Sequence, residues 1–568
     1  MNDDPFGGHR RQILATLMAL AVVACLAIAA AIGADTLAPR LDWLKGAMLR
    51  HLNAYFTLIV ALILGFCLWL MVGPLGSMRL GPDGDKPDFS FVTWLALMLG
   101  AGMGIGLFFW AVAEPVHHFI DNPFMPAGVG KTEAALPVAI RLTLFHWALH
   151  PWAIYAVVGM ALAFAAYRRD QPLRPSAGLY PFLGARSRGQ LGAMVNLVAT
   201  AGTVIVMATS LAMGVHHLDT ALANYFDYQS FDSVARATAL ATANKARADG
   251  IADLPRIAAL VKDALPVPFM LIAMVAFVSL FSALLLIVGD GRMLSRLAVF
   301  GLCLMGCFAL ALLVLGPTRN LLDLAVQSLG EYLGRLVELS FWTGAEAPKS
   351  GWPGAWTSFY WGWWIALALP VGTFIARISR GRTVREFVAG AVIAPSVVIT
   401  VWIAVLGGAG LNADLAQPGS FADPIRSDPT QAVVIVAKIV QPQIFGLGID
   451  GLRFVLTAMA VLLIAIYFVL SLSTSVATMA ILNAEDPLRP SPQQRAFWAL
   501  LIGAIAATLL VFGATDTAHV LETIAFLTAV PVSILLIGYA IGLADGLRRE
   551  RAEMLRRAMA ARARSEKR

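Results

Sequence analysis

The chain has 568 residues, 59% of them hydrophobic and only 14% charged, with a net charge of +7. A mean hydropathy of +0.74 excludes a soluble globular protein of this size, which could not hide so much apolar surface, and points to a polytopic membrane protein. The positive balance does not mark a nucleic-acid binder, because the Lys and Arg residues fall mainly in alternate loops and the C-terminal tail.

Apolar runs of about 18 residues or more predict twelve spans, near 12–34, 53–73, 91–113, 143–166, 191–226, 267–289, 297–316, 357–378, 388–411, 453–482, 496–513 and 519–543. Several exceed one straight crossing, which predicts tilt or kinks. The first run follows His9, Arg10 and Arg11. Its length, and the lack of a small-residue cleavage site before the next span, make it a retained helix rather than a signal peptide. The expected organisation is a cytoplasmic N-terminus over 1–11, a twelve-helix domain over 12–543 and a basic cytoplasmic tail over 544–568.

Basic residues cluster after even-numbered spans: Arg168, Arg169, Arg174, Arg186 and Arg188 after the fourth, Arg292 and Arg296 after the sixth, Arg377, Arg380, Arg382 and Arg385 after the eighth, and Arg489 and Arg495 after the tenth. By the positive-inside rule that side is cytoplasmic, and both termini of an inner-membrane protein lie there. Longer connections fall on the other side. The one from Ser230 to Asp263 reads as a partly helical insertion, and Leu321 to Leu339 repeats leucines at helical spacing, as an amphipathic helix lying on the outer surface does. The four cysteines all lie in apolar runs and read as small buried hydrophobes.

The third run carries glycines at alternate positions, Gly100, Gly102, Gly104 and Gly106. Each costs a helix roughly 1 kcal/mol relative to alanine. In lipid an unwound turn survives only where it lines a cavity, so the pattern marks a broken helix whose carbonyls can meet an ion or substrate. Close helix packing through small residues is the alternative. Glu114 ends this run and reads as a helix-end cap at the interface before it reads as a proton carrier; His146 and His150 flank Trp147, with no third metal ligand evident.

Two aromatic groups exceed what interfacial anchoring needs. Trp147, Trp152 and Tyr155 surround Pro151 in the fourth run, and Trp356, Tyr360, Trp361, Trp363 and Trp364 fall within nine residues of the eighth. Their π faces form a cage suited to a quaternary ammonium, a diffuse cation that donates no hydrogen bond.

Three stretches resemble the betaine/choline/carnitine transporter family: Ala101 to Gly106 with Ala113-Glu-Pro115, Phe145 to Tyr155, and Phe359 to Trp364 followed by Phe374 to Phe387. The resemblance covers roughly Ala54 to Asp545. It implies a transporter domain over 12–543 with a ten-helix inverted-repeat core, usually in a homotrimer. It also implies a substrate cage of Trp147, Trp152, Tyr155 and Trp364, contacts from Ala101 and Met103, and a transient site near the cytoplasm that includes Trp363. Choline carriers of the family tend to hold an aspartate where this chain has Gly106, which favours a zwitterion such as glycine betaine over choline or carnitine.

The chain departs from the family in the ion sites. One sodium site aligns with Thr203, Met207 and Pro370, and is lost. The other aligns with Gly100, Met103 and Phe468 and with Ser471 and Leu472, so only part of a hydroxyl pair survives, although Ser473, Thr474 and Ser475 are close. Coupling to Na+ is therefore in doubt, and H+ coupling or exchange competes with it. No cofactor is expected. The arginine-rich tail is expected to meet anionic lipid, worth ~1 kcal/mol per basic residue. A membrane enzyme using Glu114, His117, His146 or His150 lacks a nucleophile or metal arrangement, and a channel lacks a repeated pore segment.

Overall fold

The computed structural model describes residues 43–566 except 103–105, 127, 227, 250, 252, 254–255, 258–259, 261–267, 289–290, 347–350, 428–431, 433–448, 485, 513–522 and 524–525, together with residues 17, 21 and 40. The protein is an all-α polytopic membrane protein. Its long helices are α1 (Asn53–Val72), α2 (Phe91–Gly102), α3 (Gly106–Ile120), α4 (Ala135–Trp147), α5 (Leu149–Ala163), α6 (Gln190–Phe226), α7 (Phe231–Ala248), α8 (Phe269–Ile287), α9 (Arg292–Leu315), α10 (Thr318–Gly334), α11 (Phe359–Arg377), α12 (Ala394–Ala416), α13 (Ile449–Asn483), α14 (Pro492–Phe512) and α15 (Ala529–Ser565). Among the described residues there is no strand, only an isolated antiparallel bridge between Arg79 and Thr383.

Among the described residues ten helices are long and apolar enough to cross a membrane, or eleven with α2 and α3 counted as one bent span. Each coincides with a predicted run; the remaining run, 12–34, falls outside the described residues apart from Leu17 and Ala21. Large side chains such as Leu58, Leu62, Phe269, Phe277 and Leu280 point outward, as lipid-facing positions do. Inside a bilayer the hydrophobic effect does not join helices, so their pairing rests on close packing and polar contacts. The span Ala135–Arg168 is the most enclosed, its apolar window wholly buried. It packs on α11, where Gly159 and Gly372 let the two backbones meet: a Cβ on Gly372 would stand 3.2 Å from the Gly159 nitrogen.

Two breaks shape the centre. The axes of α2 and α3 differ by 67° across the glycine-rich stretch, in keeping with the predicted broken helix; Met103 and Gly104 lie outside the described residues. The second break falls between α4 and α5 at Ala148, whose ψ of −112° leaves the helical region. Pro151 accounts for it, since its ring clashes with the carbonyl four residues back, on Trp147, and it has no N–H to donate there.

The predicted amphipathic segment is α10 followed by a short helix, Leu336–Phe341. It docks on the broken span through Arg141 to Glu331 at 3.0 Å and the Leu149 N–H to Tyr332 at 3.4 Å. The predicted insertion from Ser230 to Asp263 holds α7, and its residues 250, 252, 254–255, 258–259 and 261–263 lie outside the described residues.

At the basic-loop end, Leu80 and Val384 donate backbone hydrogen bonds to Arg382 and Met78, which ties the loop after α1 to the loop after α11. Thr383 and Glu386 form a reciprocal capping box there. Arg380 bonds Asp85 at 2.8 Å, and that carboxylate lifts the guanidinium above its usual range. The helix α15 runs unbroken through residue 544, where the tail was expected to begin. Its Glu550 holds Arg168 at 3.1 Å and Arg169 at 3.0 Å.

Candidate functional site

Four of the residues expected in the cage form one contiguous aromatic group. The ring centroids of Trp147 and Trp364 lie 5.0 Å apart at 77°, those of Trp364 and Tyr155 6.3 Å apart at 87°, and those of Tyr155 and Trp152 5.9 Å apart at 87°. All four are buried. Edge-to-face packing of this kind leaves ring faces turned to one another's edges rather than stacked shut. Among the described residues the Trp152 Nε1 and the Tyr155 hydroxyl have no partner, which is uncommon for buried polar atoms and suits groups that meet a polar ligand.

The glycines of the third span explain how backbone and rings come so close. A Cβ on Gly102 would stand 2.8 Å from Trp152 Cη2, and one on Gly106 3.3 Å from Trp147 Cη2. Gly102 is thus required by a tryptophan edge resting on the main chain, which is more specific than general small-residue packing. Neighbouring Ala101 is half-buried at the end of α2.

Other expected site residues fall elsewhere. Trp363 turns away from the cage and stacks on Phe359 at 6.2 Å and 22°. Gly100 packs on Leu470 of α13, where Phe468 is buried and Ser471 half-buried. The Ser471 carbonyl accepts from the Thr474 hydroxyl at 3.0 Å and the Ser475 hydroxyl at 2.6 Å. The Thr203 hydroxyl is buried without a partner among the described residues.

The break in the fourth span is stitched in part by the aromatic group. The indole N–H of Trp364 donates to the His146 carbonyl at 2.9 Å, and the Leu149 N–H finds Tyr332. In an unbroken helix those two groups would pair within the helix. His150, read as a structural side chain, meets Ser340 at 2.9 Å.

Glu114 departs from the interfacial cap expected of it. It is fully buried, and four groups converge on its carboxylate: His146 Nδ1 at 2.6 Å and His118 Nε2 at 3.2 Å on Oε1, and Trp147 Nε1 at 2.7 Å and the Tyr360 hydroxyl at 2.5 Å on Oε2. His146 Nε2 continues to Thr357 at 3.1 Å. The sequence signal was available, since an acid inside an apolar run is costly unless it has a task. The closeness of His146 and His118 was not legible from spacing along the chain.

Glu114, His118 and His146 bring ligand atoms within 4.8 Å of one another, a grouping that does not include His150. The 2.6 Å contact is a direct hydrogen bond, shorter than the about 3.3 Å between ligands sharing a tetrahedral ion with bonds of ~2.0 Å. The group is thus a closed hydrogen-bond network rather than an open coordination shell.

The family described as betaine/carnitine/choline family transporter matches residues 14–243 and 234–552. The glycine betaine transporter OpuD of Bacillus subtilis is 32% identical over 503 residues, 88% of this chain and 87% of that one. Glycine betaine transporter 1 of Vibrio parahaemolyticus is 33% identical over 547 residues, 95% of this chain and 93% of its own. A second Vibrio parahaemolyticus relative, named as a glycine betaine/proline/choline/ectoine transporter, is 29% identical over 534 residues, 93% of this chain and 86% of its own.

Proposed function

The chain belongs to the betaine/carnitine/choline transporter family, and from that premise we propose that it is a secondary active importer of a quaternary-ammonium compatible solute, glycine betaine first. The convergence of Trp147, Trp152, Tyr155 and Trp364 beside a glycine-interrupted span carries this reading. A trimethylammonium group makes no hydrogen bonds and gains ~2 kcal/mol or more from desolvated ring faces. Ala101 and Met103 contribute contacts from the broken span. The zwitterion's own carboxylate removes the need for an acid at Gly106, and the unpartnered Trp152 Nε1 and Tyr155 hydroxyl are suitable donors to it.

Alternating access moves the solute through a ten-helix inverted-repeat core, with Trp363 near the inner exit. The protein works in the inner membrane as a homotrimer with both termini in the cytoplasm, and the arginine-rich end of α15 rests on anionic lipid. A second reading is a sodium-independent exchanger or proton-coupled carrier of another onium or zwitterionic solute. It is favoured by Met207 and Leu472 standing where the family's sodium sites hold hydroxyls, and by Pro370 in place of the family's phenylalanine.

Radiolabelled glycine betaine uptake into proteoliposomes under separately imposed sodium and proton gradients decides between the two. Uptake that requires sodium selects coupling through Gly100, Met103, Phe468 and Ser471. Uptake that ignores sodium selects the second reading, and no uptake of any onium solute removes both.

A further inference from the structure

Behind the cage lies a buried charge that the transport reading does not use. The indole N–H end of Trp147 rests on Glu114 Oε2, and the opposite edge of the same ring faces Gly106 and the cage. Tyr360, stacked 5.8 Å from Trp364 at 22°, donates to that oxygen too. One carboxylate thus fixes two rings of the aromatic group.

A carboxylate offers about four acceptor sites, and four donors fill them. Trp147 is a donor only, so Oε2 must accept; His118 and His146 complete the set from Oε1. No Lys or Arg contacts Glu114 among the described residues. Its nearest cationic candidates are the two imidazoles, and with both neutral the carboxylate charge projects through the Trp147 ring.

We propose that Glu114 is a positioning and specificity residue of the transport site, a fixed anion one ring behind the cage that sets the Trp147 and Tyr360 planes and makes the cage prefer a trimethylammonium over a tert-butyl group of the same shape. This rests on the cage reading. In a water-poor interior a unit charge one aromatic ring away changes the affinity for a cation on the order of tenfold or more.

Glu114→Gln separates charge from geometry. The amide oxygen accepts from Trp147 and Tyr360, and the amide NH2 donates to His118 and His146 once each ring takes its other tautomer, so all four hydrogen bonds survive. The purified full chain would be titrated calorimetrically with glycine betaine and with 3,3-dimethylbutanoate, in which carbon replaces the ammonium nitrogen. Expected is a tenfold or greater loss of glycine betaine affinity in the variant, with binding of the carbon isostere unchanged or improved. A merely structural role would weaken both ligands alike, and that result overturns the proposal, as does an unchanged ratio. Wild-type protein that fails to bind glycine betaine removes the cage reading itself, an outcome distinct from wild-type binding with an unaltered variant.

Discussion

Gly102→Ala tests whether the glycines of the third span exist to admit the cage. The new methyl would stand 2.8 Å from Trp152 Cη2 and 3.1 Å from Cζ3. Carbon atoms prefer roughly 3.5–4 Å, so ring or backbone must give by several tenths of an ångström. Trp152 is fully buried. Overpacking of this kind costs about 1–3 kcal/mol, against which alanine returns at most about 1 kcal/mol of helix propensity. If the displacement falls on the ligand-binding geometry, glycine betaine affinity drops by roughly 5- to 30-fold. Gly306→Ala in α9 is the control, because nothing lies within 4 Å of its Cβ; it should keep wild-type affinity and melt no lower. Calorimetric titration with thermal melting in detergent reads both quantities. A Gly102→Ala protein that melts normally and binds within twofold of wild type would refute the close-approach argument.

Tyr332→Phe removes the acceptor from the Leu149 N–H at the break beside Trp147. A buried unpaired N–H costs about 1–3 kcal/mol, so the variant should melt lower and transport more slowly; unchanged values for both would show that the outer helix does not support the break. Glu550→Ala releases Arg168 and Arg169, all three side chains being less than one-third exposed. Amides after residue 546 should then exchange hydrogen faster than in wild type, and equal rates would mean that α15 is held by packing alone.

The spans were readable because an uncharged apolar run about 20 residues long has few stable places except a bilayer. The clustering of aromatic rings was readable too, since Trp147, Trp152 and Tyr155 lie close along the sequence, as Trp363 and Trp364 do. What spacing could not tell is which of the clustered rings face inward. Trp363 and Trp364 are neighbours in sequence, yet one stacks outward on Phe359 and the other turns to Trp147. Adjacent residues of a helix point about 100° apart, and which of the two faces Trp147 is set by how α11 packs on its neighbours.

The break at Ala148 was half visible. Pro151 announces a strained carbonyl at Trp147, but the groups that satisfy the break, Tyr332 and Trp364, come from nearly 200 or more residues away along the chain. Glu114 was seen and misjudged for the same reason. Its position at the end of an apolar run suggests the interface, whereas three of its four partners, His146, Trp147 and Tyr360, belong to other helices and draw it inward.

The most direct test of the cage is glycine betaine binding to purified wild type and Trp364→Leu, followed by calorimetry with a thermal melt to establish folding. Trp364 touches Trp147 and Tyr155 and contributes a ring face worth ~2 kcal/mol to a desolvated onium, so the variant should bind about 30-fold more weakly or not measurably. A folded Trp364→Leu protein with wild-type affinity would contradict the assignment of this aromatic group as the substrate site.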